Sequence, residues 1–210
     1  MNAAPGVTGI VLAGGRATRF GGPKLAVELN GEPLLNHAIR AVRAVADEVI
    51  VVGAPMADRE SGTGGNNSIR YVPDDEPFAG PLSALAAALR ETGTALAIVV
   101  GGDMPGLVPG VLVTMLRRLA AAADIDAVLL ASPTLEQGRR QVLPLALRVT
   151  TGSRAAIEAL GAGDRSLVRL LERLRSIEIP APEWLDQDPG GRTLLDVDRP
   201  GDLERIRRKL

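Results

Sequence analysis

The chain has no cysteine and, among 210 residues, only one histidine, one tryptophan, one tyrosine and two phenylalanines. Without cysteine there is neither a disulfide nor a thiolate metal site. Aromatics at 2% leave few platforms for stacking single-stranded bases, and a formal net charge of −1 gives no general attraction to a phosphate backbone. No uninterrupted apolar run reaches the roughly 20 residues needed to span a bilayer, and no basic segment precedes the first apolar run. The expectation is a cytoplasmic chain with neither nucleic acid nor membrane as partner. His37 falls within a helical pattern, away from any nucleophile-like serine, and no G-x-S-x-G occurs, so a Ser-His-Asp hydrolase lacks its parts. His37 is expected to be structural, and Trp184, in a Pro- and Asp-rich segment, to be partly packed.

What the chain does have is an apolar fraction of 46%, mostly Ala, Leu and Val. That content supports an aliphatic core in a single domain over residues 1–210. Strand-like runs at 7–13, 48–52, 68–72, 95–101, 127–131 and 141–149 alternate with helix-like runs at 34–46, 81–91, 108–123, 151–160 and 166–174. A basic amphipathic helix is expected at 200–210, and a Gly-, Ser- and Asn-rich loop at 59–67. Such alternation predicts an α/β fold with a mostly parallel sheet covered by helices on both faces. In open sheets of this kind ligands bind at the carboxyl ends of the strands. The segments after the first, third and fourth strands, which carry Gly14, Asp74 and Asp103, are therefore predicted to converge.

The most informative stretch is Val11-Leu12-Ala13-Gly14-Gly15-Arg16-Ala17-Thr18-Arg19-Phe20-Gly21-Gly22-Pro23-Lys24. It joins a buried strand to a glycine-rich loop ending in a cation. Glycine lets several backbone N–H groups approach one phosphate chain, which points to a nucleoside triphosphate site. A P-loop would need Gly directly before Lys24 and a hydroxyl after it, but Pro23 and Leu25 stand there; the G-x-G-x-x-G dinucleotide pattern is missing too.

The letters Leu12-Ala13-Gly14-Gly15, then Arg19-Phe20-Gly21 and Lys24, resemble the signature of sugar-nucleotide and cofactor nucleotidyltransferases, and within them the molybdenum cofactor nucleotidyltransferases. Similar letters recur at Tyr71-Val72-Pro73-Asp74, Gly80-Pro81-Leu82, Gly102-Asp103-Met104-Pro105, Pro144-Leu145-Ala146-Leu147 and Asp196-Val197-Asp198-Arg199-Pro200. The resemblance implies a Rossmann-like three-layer fold, Mg²⁺ as cofactor, and GTP with a molybdopterin-type acceptor as substrates. Other molybdenum cofactor biosynthesis or recipient proteins are implied as partners.

It also implies roles. Lys24 and Arg19 would meet the triphosphate charge, a point charge and a forked guanidinium suited to a departing pyrophosphate; taken alone they are ordinary surface cations. Leu12, Ala13, Gly14, Gly15, Lys24, Asp74, Gly80, Pro81 and Asp103 would line the nucleotide site. Asp103, past a buried apolar run, and Asp198 would hold the metal with hard oxygens, whereas the plain alternatives are a turn for Asp103 and a helix N-cap for Asp198. Arg139, Arg140 and Gln141 would face the acceptor. Gly80-Pro81-Leu82 resembles the guanylyl branch; Asp196-Val197-Asp198 and Pro23 look more like the cytidylyl branch, and at Gly53 the guanylyl relatives carry Asn. The readings left open are a guanylyltransferase, a cytidylyltransferase or sugar-phosphate nucleotidyltransferase, and a GTP-binding chaperone or sensor without catalysis.

Overall fold

The computed structural model describes residues 6–14, 24–53, 68–74, 79–133 and 141–208. Its centre is a seven-stranded sheet made of β1 (Val7–Leu12), β4 (Glu48–Val52), β5 (Ile69–Val72), β6 (Leu96–Gly101), β7 (Ala127–Leu130), β8 (Leu145–Arg148) and β9 (Ser176–Ile179). Two short strands, β2 (Glu28–Leu29) and β3 (Glu32–Pro33), form a separate hairpin. The helices are α1 (Leu34–Arg43), α2 (Pro81–Arg90), α3 (Pro109–Ala121), α4 (Val149–Gly161), α5 (Leu167–Leu171), α6 (Ala181–Leu185) and α7 (Pro200–Arg207).

Across the sheet the order is β5-β4-β1-β6-β8-β7-β9. β5, β4, β1 and β6 are mutually parallel, and β8 runs antiparallel to both β6 and β7. The expected mostly parallel α/β architecture is thus present, with β8 as the one reversed strand among the described residues.

The three layers follow from alternation along the strands. Val11, Val49, Val51, Ile98 and Val100 face one side, where α1 and α3 cover them; Ile10, Ile50, Val52, Ala97 and Val99 face the other, under α2, α4 and α5. Each core is almost wholly aliphatic, and successive strand residues point to opposite faces as the pleat requires. Trp184 is fully buried, with its indole N–H donating to the Ala131 carbonyl at 3.1 Å. That corrects the expectation of partial packing: α6 carries the ring into the core, and its one polar atom finds a partner there.

Several boundaries differ from the sequence expectation for local reasons. The strand expected over 141–149 is confined to Leu145–Arg148, because Pro144 has no N–H to give a ladder and Val149 already begins α4. The helix expected over 166–174 is the five-residue α5, whose Val168 N–H donates to the Ser166 hydroxyl. β9 and the β2–β3 hairpin are additions. His37 is buried and structural: its Nε2 lies 2.9 Å from the Leu29 carbonyl, tying α1 to the hairpin.

Candidate active site

The carboxyl ends of β5, β4, β1 and β6 lie along one edge, and backbone hydrogen bonds extend the strands into their loops. Gly53 N–H donates to Val72 O at 3.1 Å, Ala13 N–H to Val52 O at 2.9 Å, and Gly102 N–H to Leu12 O at 2.9 Å. The segments after β1, β5 and β6 are therefore brought together as predicted. After β1 the chain moves to β4 and β5 on one side and returns to β6 on the other, so the connection reverses between β1 and β6. A reversal of this kind opens a crevice at the strand ends.

Lys24 stands at this crevice, at the start of a 3-10 turn (Lys24–Ala26). Its Nζ donates to Asp103 Oδ2 at 2.7 Å and to Asp198 Oδ1 at 3.2 Å. Only 15% of the Lys24 side chain is exposed, against 27% for Asp103 and 59% for Asp198. Burial alone would push the ammonium toward neutrality, but the hydrogen bonds and negative charges of Asp103 and then Asp198 outweigh it, and Lys24 is held above the ordinary lysine range.

The three side chains are fixed from separate parts of the chain. Asp103 follows the fully buried β6, and its carbonyl accepts the Val197 N–H at 3.0 Å. Val197 is buried among Leu29, Leu34 and Ile206, so the flanking Asp196 and Asp198 project away from that apolar cluster. Asp198 is not the helix cap that was the plain alternative. The N-cap is Arg199, and Asp202 at the third helical position accepts the N–H groups of Asp198 and Arg199 through its Oδ2, which leaves the Asp198 carboxylate for Lys24.

Asp196 escaped the sequence reading. It is open to solvent over much of its surface, yet partial burial of its carboxyl and then the charges of Asp198 and Asp103 raise it above the usual carboxylate range. The signal available for it was the spacing of two acids either side of one apolar residue.

On the other side of β1, Asp74 brings its carboxylate over Gly14, 3.6 Å from where a side chain at Gly14 would begin. Gly53 has φ of +81°, and a Cβ there would stand 2.8 Å from Gly14 Cα. Two loop backbones touch at this point, which is the local reason for glycine rather than Asn. Gly53→Ala is expected to destabilise the protein by about 1–3 kcal/mol, the usual range for a forced left-handed residue. Chemical denaturation checks this, and an unchanged midpoint and slope would contradict it. Gly80, with φ of +105°, lies against the Arg165 carbonyl, and Leu82 N–H donates to the same oxygen. Gly15, Arg19, Pro23, Arg139, Arg140 and the stretch 59–67 lie outside the described residues.

Residues 9–177 match the family described as the MobA-like NTP transferase domain. The chain belongs to that family. It is 32% identical to the molybdenum cofactor guanylyltransferase of Burkholderia vietnamiensis over 177 residues, covering 83% of this chain and 86% of the relative. It is 31% identical to a probable molybdenum cofactor guanylyltransferase of Chloroflexus aggregans, covering 95% and 93%. In fold it is similar to the crystal structure of molybdopterin-guanine dinucleotide biosynthesis protein A from Archaeoglobus fulgidus, with a TM-score of 0.76, 23% identity, and coverage of 96% of this chain and 97% of that one. The family match ends before Asp196 and Asp198, so the closing segment of this NTP transferase domain protein adds one of the carboxylates on Lys24.

Beside Asp103 opens a cleft of about 330 Å³, walled by Pro81, Met104, Leu143 and Leu167 with Gln141 and Asp196 at its polar points. Pro81 and Asp103 thus share one hollow. A few polar groups set in mostly apolar walls are the usual lining of a small-molecule site.

Proposed function

We propose that the protein is a magnesium-dependent molybdenum cofactor guanylyltransferase, moving GMP from GTP to a molybdopterin-type acceptor. The observation that carries this reading is the meeting of Lys24, Asp103 and Asp198 at the crevice between β1 and β6 in a MobA-like NTP transferase domain protein. The acceptor phosphate oxygen forms a bond to the α-phosphorus in line, and the bond from that phosphorus to the bridging oxygen of the β-phosphate breaks, releasing pyrophosphate. Because the acceptor is already an anion, no strong general base is required. Catalysis comes from positioning and from neutralising charge that develops on the phosphoryl oxygens.

Asp103 and Asp198 fit a magnesium ion: they are hard oxygen donors from two segments that already converge on one cation. Among the described residues no three acidic or histidine side chains gather into a metal cage, and magnesium is commonly held by one or two carboxylates with phosphates and water completing its shell. When bound, the ion would polarise phosphate oxygens and neutralise the departing pyrophosphate. Lys24 and Arg19 bind the triphosphate, Gly14 and Gly15 offer backbone N–H groups to it, Asp74 serves base and ribose, and Pro81 stands where the nucleotide site borders the cleft beside Asp103. The cleft beside Asp103 receives the acceptor.

Asp196 and Asp198, with their cytidylyl-like letters, favour the second reading, CTP as donor. A site that hydrogen-bonds one base edge leaves polar groups unpaired with the wrong base, so its selectivity is large. Competition between GTP and CTP for one molybdopterin acceptor is expected to favour GTP by more than about tenfold. Preference for CTP would make the protein a cytidylyltransferase, and nucleotide binding without pyrophosphate release would make it a GTP-binding chaperone or sensor.

A further inference from the structure

We propose that the Lys24 ammonium is the resident counter-ion of the Asp103–Asp198 pair and keeps a divalent cation out until a nucleotide polyphosphate draws it away. This rests on the reading of Asp103 and Asp198 as metal ligands given above.

The ammonium already serves both carboxylates, and it cannot share that place with a second cation. Nζ lies 2.7 Å from Asp103 Oδ2 and 3.2 Å from Asp198 Oδ1, which puts it in the space between the two oxygens. Magnesium holds its ligand oxygens at about 2.0–2.1 Å, so an ion bound by both would occupy that same space. Its double positive charge would also meet the ammonium at contact distance. Lys24 must therefore leave before the ion is held by both carboxylates.

The exchange has a ready acceptor. A triphosphate arriving along the loop after β1 supplies anionic oxygens to Lys24 and phosphate ligands to the metal together, so each entry assists the other. Metal and nucleotide are then linked, and the free protein is a poor metal binder although it carries two well-placed carboxylates. Lys24 is held in this resting place from both ends. Its turn is anchored by Leu25, which packs on the core, and its head is shared by the turn after β6 and the closing segment, which the Val197–Asp103 backbone bond ties together.

The linkage is reciprocal by thermodynamic necessity, and removing the ammonium should release the part of it that opposes the metal. The test is direct Mn²⁺ binding, followed by electron paramagnetic resonance without nucleotide, on the wild type, on Lys24→Met, and on Lys24→Met combined with Asp198→Asn. Lys24→Met is expected to bind Mn²⁺ at least about tenfold more tightly than the wild type, a change worth ~1.4 kcal/mol, and the added Asp198→Asn to abolish that gain. If Lys24→Met fails to fold, Lys24→Gln, which keeps hydrogen-bond donors without the charge, carries the same comparison. Equal or weaker binding by the uncharged variant overturns the proposal, as does a gain that survives Asp198→Asn. Because no transfer is measured, a negative result here is separable from failure of the guanylyltransferase reading, which pyrophosphate release reports independently.

Discussion

Lys24→Ala is expected to lower kcat/KM for nucleotidyl transfer by roughly two to three powers of ten, the scale of losing one preorganised charge contact in a crevice sheltered from water. The side chain is largely buried at the carboxyl edge of the sheet, its ammonium is kept protonated by Asp103 and Asp198 against the opposing effect of burial, and it follows the glycine loop directly. Alanine removes the charge without changing any residue of the two apolar cores. The folded state is therefore expected to persist, with two carboxylates left to repel each other and to attract a metal. Circular dichroism and steady-state pyrophosphate release, measured on the same preparation, check this. Unchanged turnover in a folded variant would remove Lys24 from the reaction.

The parts of the fold that were legible in the sequence are those whose signal is long and regular. β6, and β4 after Glu48, are continuous apolar runs, α1 and α2 have unbroken helical spacing, and their alternation leads directly to a parallel sheet with helices on both faces. The missed elements are short. β2 and β3 contribute two residues each, too few for any period, although Asn30-Gly31 between them, both at positive φ, is a strong hairpin signal in its own right. β9 has only Ser-Ile-Glu-Ile after a leucine-rich helix, and among the described residues it pairs with β7 alone. Trp184 was misjudged because flanking prolines and acids describe the segment's surface, whereas the ring's burial depends on where α6 docks.

The site divides along the same line. Asp103 was legible because a carboxylate directly after a buried strand has few places to go except the sheet's edge. Asp198 was ambiguous because an acid shortly before Pro200 has the letters of a helix cap. Only the position of Asp202, which takes both N–H groups, separates the two uses. Asp196 had one local signal, its place across Val197 from Asp198; that both acids face the site follows from the burial of Val197 against Leu29, Leu34 and Ile206, residues distant in sequence.

Asp103→Asn is expected to move the magnesium dependence of transfer to concentrations at least about tenfold higher. A factor of ten needs only ~1.4 kcal/mol, less than a unit charge contributes beside a divalent ion at an effective dielectric constant near 20. The substitution keeps the shape of the side chain and one oxygen, so the turn after β6 and its carbonyl bond to Val197 N–H should survive. What disappears is the anion that a hard cation prefers, along with one of the two anchors of Lys24. Without nucleotide the second loss partly offsets the first, because a less firmly held ammonium competes less with the metal; the loss of metal binding caused by Asp103→Asn should therefore be larger in the Lys24→Met background than in the wild-type background. Magnesium titrations of pyrophosphate release measure the first effect, and Mn²⁺ binding without nucleotide by the wild type, Asp103→Asn, Lys24→Met and the double variant compares the two backgrounds. A titration curve identical to the wild type's would exclude Asp103 as a metal ligand, and an equal shift in both backgrounds would mean that Lys24 and the metal do not compete for it.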